Sequence, residues 1–140
     1  YGRHRRFLER ATLRNFKKAS IIRLPSLFGP GLYKNVLFDL LGSNEESGVY
    51  LCPQSQHQWF NLKKLSEYVH NAVPGGMERL YSEPITHQEI IDKFFPTSLI
   101  WEAEQPVIYN ESPTVVITKE EILEDMGSFI KEWRQSCQFL

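Results

Sequence analysis

The chain has 140 residues, of which 41% are hydrophobic and 13% aromatic, enough to build one folded domain and too many for a disordered segment. Its formal net charge of −1 gives the surface as a whole no preference for nucleic acid or for an anionic membrane. The sequence has no apolar run near the roughly 20 residues that cross a bilayer, and Cys52 and Cys137 lack metal-ligand spacing, so we predict a soluble cytoplasmic protein with reduced thiols.

Positive charge is concentrated at the start of the chain. Seven of the 16 Lys and Arg residues fall within the first 18 positions. Residues 3–17 are predicted to form a helix, because Phe7, Leu8, Ala11 and Phe16 make an approximate apolar face. Its basic residues either bind phosphates, in nucleic acid or in a nucleotide cofactor, or form the solvated face of an amphipathic helix.

An apolar run at residues 19–24, rich in β-branched side chains, predicts a short buried strand. We expect it to end at the segment 25–31, because the density of Pro and Gly there should not continue a strand or a helix. A helix is predicted at 34–41, and residues 49–51 and 58–60 are candidate strands. A helix, a buried strand and a Gly/Pro loop in succession are typical of an α/β sheet.

Asn61 is predicted to cap a helix that runs to about residue 72. Pro and Gly residues at 74–76 end this helix, and residues 78–82 form a further short strand. The buried side of the helix is expected to carry four apolar residues: Leu62, Leu65, Val69 and Ala72.

Two capping boxes predict the start of two further helices. Thr86 with Glu89 precedes an apolar helix that Pro96 stops. Thr118 with Glu121 precedes the last helix, in which apolar residues recur at helical spacing and predict a stripe packed in the core.

Tyr1 and Arg5 stand four residues apart, so in a helix their side chains share a face. A phenol is a poor acid–base group at neutral pH, and a fixed cation beside it lowers its pKa toward the working range. The spacing alone is common by chance, and it gains weight only from the segments that come after it in the chain.

Those segments occur in a specific order. Tyr1 and Arg5 lead a helix, and the strand and loop at residues 21–31 (Ile-Ile-Arg-Leu-Pro-Ser-Leu-Phe-Gly-Pro-Gly) come next. This order resembles the Tyr-xxx-Lys helix, next strand and Gly-Pro loop of extended short-chain dehydrogenases/reductases, in the NAD-dependent epimerase/dehydratase branch. The resemblance is strongest over 1–41, continues over 57–91 and fades after 96.

The resemblance implies an α/β fold. Residues 1–32 would be a remnant of an NAD-binding Rossmann domain, with the end of its parallel sheet, and residues 33–140 a small substrate-side lobe with closing helices. It also implies NAD or NADP as cofactor, a small sugar-like substrate, and a homodimer in the full-length protein. Neither a metal, a membrane nor nucleic acid is an expected partner.

The family's roles can be carried over to matching positions. Tyr1 would be the catalytic acid–base residue, and Arg5 would take the place of the lysine that lowers its pKa and binds the cofactor ribose. Pro25, Ser26 and Leu27 would lie beside the nicotinamide. The substrate is expected to contact four residues: Ser26, Asn35, Val36 and His57.

Several positions depart from the family pattern. Arg5 replaces a lysine, and His57 occupies the place of the arginine that grips a nucleotide diphosphate. Lys63 and Lys64 replace an acidic pair. A Gly-x-x-Gly-x-x-Gly cofactor turn is absent from the 140 residues, so we expect the chain to be incomplete as an enzyme, through truncation or because the other half is a separate chain.

Two alternatives remain open at this point. The chain could be a non-catalytic binding module whose basic first helix contacts nucleic acid or an acidic partner. It could also be a relative that kept the fold as a scaffold and lost catalysis, with Arg5 and His57 as marks of that loss.

Overall fold

The structure, a computed structural model, describes residues 2–31, 33–43, 47–108 and 117–137. Within these ranges the chain combines helices with short strands. The α-helices are α1 (Gly2–Asn15), α2 (Val36–Gly42), α3 (Leu65–Asn71), α4 (His87–Phe94) and α5 (Lys119–Cys137), and Leu62–Lys64 forms a 3₁₀ turn. The strands are β1 (Ile21–Arg23), β2 (Ser26–Phe28), β3 (Val49–Leu51), β4 (Gln56–His57), β5 (Trp59–Asn61), β6 (Met77–Arg79), β7 (Ile85–Thr86) and β8 (Ile100–Glu102).

The described strands pair two by two. β1 pairs with β6, β2 with β5 and β3 with β8, all in parallel, whereas β4 pairs with β7 antiparallel. The first two ladders join residues on either side of the predicted domain boundary at position 32. The fold is therefore mixed α/β, built in its described part from two-stranded ladders rather than from one continuous parallel sheet. None of the described helices combines the length and the apolar character that a membrane span requires.

The segment after β1 differs from the prediction. We expected the Pro and Gly residues at 25–31 to exclude a strand, but Ser26–Phe28 forms β2. Pro25 lacks an N–H group, so it ends pairing with β6, and Ser26 then donates its N–H to the carbonyl oxygen of Gln58 at 3.0 Å. The proline thus changes the partner strand instead of ending extended structure. Gly29 follows β2 with a φ of 136° and lies close to Leu62. A Cβ added at Gly29 would lie 3.0 Å from the Cβ of Leu62.

The core lies where α5 crosses β2 and β5. The ring of Phe28 lies 6.5 Å from that of Trp59 and 6.2 Å from that of Phe129, centroid to centroid. The apolar stripe of α5 faces this cluster, which confirms the prediction that its helical spacing serves core packing. The buried residues of the stripe are Ile122, Met126, Phe129 and Ile130.

Two lysines of the 3₁₀ turn attach α5 from outside the core. The Lys64 ammonium lies 2.8 Å from a carboxylate oxygen of Glu121 and 2.7 Å from one of Asp125. The Lys63 ammonium lies 2.6 Å from Glu132, also on α5. Each pair is partly solvated and contributes little alone, but together they fix the helix relative to the turn.

The first helix lies on the surface. None of the described residues of α1 is buried, and the expected apolar face is exposed, with Phe7 75% and Leu8 66% accessible. Its contact with the strands includes a two-pronged ion pair, in which Arg23 Nε and Nη2 donate to Glu9 at 2.9 and 2.6 Å. Arg23 ends β1, so this pair fixes the helix beside that strand.

The prediction for the helix after Asn61 was right at its cap and only partly right on its buried side. The Asn61 side chain accepts a hydrogen bond from Lys63 N at 3.0 Å, as a cap should. Leu62, Leu65 and Ala72 are half-buried, but α3 contains no fully buried residue, and Val69 is 54% exposed. The first turn is 3₁₀, which has three residues per turn, so the later positions rotate away from the face that a continuous α-helix would bury.

The capping box of α4 offers a stability test. Glu89 N donates to the Thr86 hydroxyl at 3.1 Å, and Thr86 N donates back to the Glu89 carboxylate at 2.9 Å. Thr86→Ala removes the first bond and should lower the free energy of unfolding by about 1 kcal/mol in urea denaturation. Thr97→Ala, at an exposed position, is the control and should change it by less than about 0.5 kcal/mol. Equal effects of the two substitutions would contradict a stabilising role for the box.

Candidate functional site

A serine and a histidine meet where β2 and β4 approach each other. Ser26 is the first residue of β2, and its N–H is bonded to the carbonyl of Gln58, the residue between β4 and β5. This bond brings His57, the last residue of β4, next to the serine side chain. Ser26 Oγ and His57 Nδ1 are 3.0 Å apart. Both side chains are half-buried, so the pair lies at the surface of the fold.

A second histidine lies beneath the first. The pairing of β4 with β7 sets His57 opposite Ile85, and α4 begins two residues later at His87. The imidazole rings of His57 and His87 stack, with centroids 4.9 Å apart and an interplanar angle of 27°. His87 is buried, at 6% exposure.

One hydrogen bond fixes the tautomer of His87. Its Nδ1 lies 3.0 Å from the carbonyl oxygen of Cys52, and a carbonyl only accepts, so Nδ1 carries the proton. In the neutral ring Nε2 is then a bare acceptor. This atom is buried and has no hydrogen-bond partner within the described part of the chain.

Burial favours the neutral form of both histidines. Burial lowers the pKa of His57 below its ordinary value. For His87, burial and then the neighbouring His57 lower the pKa to about 4, against a smaller opposing effect of the Cys52 carbonyl. A neutral His57 can accept the Ser26 hydroxyl proton at Nδ1 or donate to the Ser26 oxygen, according to its tautomer. The site is therefore polar but uncharged.

Trp59 also lies next to His57. Its ring centroid lies 5.9 Å from that of His57, and the side chain is fully buried. Its indole Nε1, which can only donate, has no hydrogen-bond partner among the described residues. Two rings that neighbour His57 thus carry a buried unpaired atom each, an acceptor at His87 and a donor at Trp59.

The other predicted substrate residues have local roles in the structure. Asn35 caps α2: its Oδ1 accepts from Phe38 N at 3.1 Å, and its Nδ2 donates to the carbonyl of Leu27 at 2.8 Å. Both ends of the amide are thus engaged, and they connect α2 to β2. Val36, the first residue of α2, is half-buried, as are Pro25 and Leu27 on either side of Ser26.

The predicted catalytic pair lies only partly within the described residues. Tyr1 falls outside them. Arg5 is an exposed residue of α1, on the helix that Glu9 and Arg23 connect to β1. Of the predicted site, the structure therefore brings Ser26 and His57 into direct contact.

The sequence interpretation missed His87 and Trp59 as members of the site. Thr86 and the helix start had been recognised, but His87 showed no metal-ligand spacing and Trp59 looked like an ordinary strand residue. His57 and His87 meet only because β4 pairs with β7, and each of these strands has two residues. No group of three potential ligands (His, Cys, Asp or Glu) within the described ranges could hold a metal ion, and Cys52 is a free, buried thiol.

The chain matches no known protein-family model and no curated protein.

The stacked histidines predict acid sensitivity. An unfolded His87 has a pKa near 6.5 and the folded one about 4, so the unfolded state binds more protons between these values, and stability falls as the pH drops through this window. Between about pH 7.5 and pH 5 the loss should be at most about 2 kcal/mol from His87, to which His57 adds in the same direction. Urea denaturation at the two pH values measures it.

His87→Phe keeps a ring in place and removes the titrating group, so it should reduce this pH dependence. His70→Phe, at an exposed position on α3, is the matched control and should leave it unchanged. A His87→Phe variant with the full pH dependence of the parent chain would show that the buried ring is not its source.

Proposed function

We propose that this chain is the substrate-side part of an NAD(P)-dependent oxidoreductase or isomerase of the epimerase/dehydratase type, acting on a small sugar-like substrate. The observation that carries the proposal is the Ser26–His57 contact of 3.0 Å. It joins two positions, 31 residues apart, that the sequence resemblance assigns independently to the substrate.

The location of this contact supports the proposal. Ser26 follows the carboxyl end of β1, and Ser82 follows the carboxyl end of its parallel partner β6. The buried Ser82 hydroxyl accepts from Trp59 N at 2.8 Å, and its carbonyl accepts from the Gln58 side chain at 2.9 Å. The site residues thus gather at the carboxyl ends of two parallel strands, where α/β folds bind their ligands.

In the proposed reaction the chain supplies an acid–base residue and its cation. Tyr1 would take the proton of a substrate hydroxyl, and the positive charge of Arg5 would lower the tyrosine pKa so that it can do so near neutrality. Arginine keeps its own proton, so Arg5 would act only through charge and hydrogen bonds. NAD(P), when bound, supplies the hydride acceptor.

The residues present fit only one end of the cofactor. Pro25, Ser26 and Leu27 form a half-buried edge that would suit a nicotinamide. The 140 residues contain no glycine turn for the pyrophosphate, so in this proposal chain outside residues 1–140 would hold that end.

A second candidate function is favoured by α1 itself. Its described side chains are all at least partly exposed, and Glu9, an acidic residue of this basic helix, is paired with Arg23. Such a helix would also suit a module that binds nucleic acid or an acidic partner. Titration with a DNA duplex at low and moderate salt separates the two candidates, since only the binding module should show a steep salt dependence.

The proposal predicts that cofactor binding requires sequence that precedes residue 1. Calorimetry should detect NADH or NADPH binding to a protein that includes the natural sequence preceding residue 1, and not to residues 1–140 alone. In that longer protein Tyr1→Phe should lower kcat by about 10²- to 10⁴-fold and leave cofactor affinity within about twofold, because the phenol acts on the substrate proton.

Tyr33→Phe is the matched control, since Tyr33 is exposed and lies in the loop before α2. Its turnover should equal that of the parent. Absence of dinucleotide binding in both the short and the long protein would contradict the proposal and leave the resemblance as ancestry only.

A further inference from the structure

The charge of the chain is divided between its first segment and the rest. Residues 1–18 carry seven Lys and Arg and one Glu, a formal charge of +6, so residues 19–140 carry −7 to give the total of −1. Nucleic acid or an anionic membrane would attract the first segment and repel the remainder. A second copy of this chain carries both charges, so it complements both parts.

One face of α1 points away from the fold and carries four exposed side chains, which we call the basic stripe. They recur at i, i+4, i+7 and i+11, so they share one side of the helix: Arg3, Phe7, Arg10 and Arg14. Glu9, which fixes α1 beside β1, lies about 200° around the helix from Phe7. The ion pairs in the described part of the chain use none of the three arginines of the stripe.

A second exposed surface lies on the ladder of β3 and β8. Tyr50 and Trp101 are opposite each other in this parallel ladder, so their side chains lie side by side on one face. Tyr50 is 73% exposed and Trp101 57%. Val49 and Leu51, the neighbours of Tyr50 along β3, are buried on the other face. The ladder thus exposes two neighbouring aromatic rings to solvent.

The backbone beneath Trp101 supports its ring. Gly48, with a φ of 41°, lies against the indole, and a Cβ at this position would overlap the ring. Glu102 and Glu104 follow Trp101 closely in the chain, and both are exposed. Neither takes part in an ion pair among the residues that the structure describes. We call this surface of two rings and two carboxylates the aromatic face.

The basic stripe and the aromatic face are chemically complementary. A guanidinium group stacks on aromatic rings and pairs with carboxylates, and the aromatic face offers both kinds of group. Phe7 of the stripe can pack against Tyr50 or Trp101, because aromatic rings attract one another beyond their burial. Contact between the two surfaces would also remove exposed aromatic area from water on both sides.

We propose that this chain associates head to tail, with the basic stripe of one copy bound to the aromatic face of the next. The two surfaces differ, so the contact is heterologous and each copy keeps one surface free for a further copy. A helix of 14 residues is about 21 Å long, so the contact is short and the association weak. The second copy is thereby the acidic partner of α1, and the inference does not depend on cofactor binding.

The test is sedimentation velocity of the whole 140-residue chain. In about 50 mM NaCl the weight-average sedimentation coefficient should rise with protein concentration between about 10 and 500 µM, the range of a weak contact. In about 500 mM NaCl the rise should disappear, because salt screens the pairing of arginines with carboxylates. A coefficient that stays at the monomer value in low salt, or a rise that high salt leaves unchanged, would overturn the proposal.

Substitutions on the two surfaces distinguish a head-to-tail contact from a symmetric one. Phe7→Ser and Trp101→Ser should each weaken association at least about tenfold. Val69→Ser, at an exposed apolar position on α3, is the matched control and should leave it unchanged. Circular dichroism reports whether each variant is folded, and Arg10→Glu and Tyr50→Ser take the place of a variant that is not.

An equimolar mixture of Phe7→Ser and Trp101→Ser should form a dimer and nothing larger. The Trp101→Ser copy keeps its basic stripe and the Phe7→Ser copy its aromatic face, so one intact contact can form between them. Association that Phe7→Ser removes and Trp101→Ser preserves would indicate a symmetric contact between first helices and contradict the proposal.

Other partners of α1 are also outcomes of this test. A chain that sediments as a monomer but binds a DNA duplex, or vesicles containing phosphatidylserine, would retain a binding role for α1 and overturn head-to-tail association. Dinucleotide binding by the longer protein is measured separately, so either proposal can fail without the other.

Discussion

The arrangement of this fold depends on the missing N–H of Pro25. The extended chain pairs with β6 as β1 and then with β5 as β2, and Pro25 lies between these two strands. Because β2 pairs with β5, Phe28 enters the core between Trp59 and Phe129. The same pairing sets Ser26 beside His57, so the core and the candidate site share one structural cause.

Three of the positions at which the sequence departs from the family it resembles, namely His57, Lys63 and Lys64, have partners within this chain. Lys63 and Lys64, where an acidic pair would be typical, contact carboxylates on α5, so the last helix compensates their charge. His57, in the place of an arginine, contacts Ser26. His57, Lys63 and Lys64 thus each have a partner within the chain.

The parts of the fold that could be predicted from the sequence are those set by local interactions. The capping box of Thr86 and Glu89, the Asn61 cap and the apolar stripe of α5 depend on neighbours within a few turns of helix, and the structure confirms them. The strand at Ser26–Phe28 was missed, because its formation depends on a partner more than 30 residues away. The exposure of Val69 was missed because a 3₁₀ turn changed the phase of the helix.

The candidate site was predictable in part for the same reason. Ser26 and His57 carried a signal through the resemblance, whereas His87 enters through the pairing of two strands of two residues each, too short for any alternation to show. Tertiary pairing also produced the unpaired atoms at His87 and Trp59, which no local pattern encodes. The sequence thus identified Ser26 and His57, whereas long-range strand pairing determined which other side chains surround them.

A double-mutant cycle on Ser26 and His57 tests the central claim most directly, namely that this contact is formed in the folded chain. Ser26→Ala, His57→Phe and the double variant would be unfolded in urea near pH 7.5. We predict a coupling free energy of about 0.5–1.5 kcal/mol, the range of a single hydrogen bond between neutral groups. Additive effects, within about 0.3 kcal/mol, would contradict the account, because residues that do not interact show no coupling.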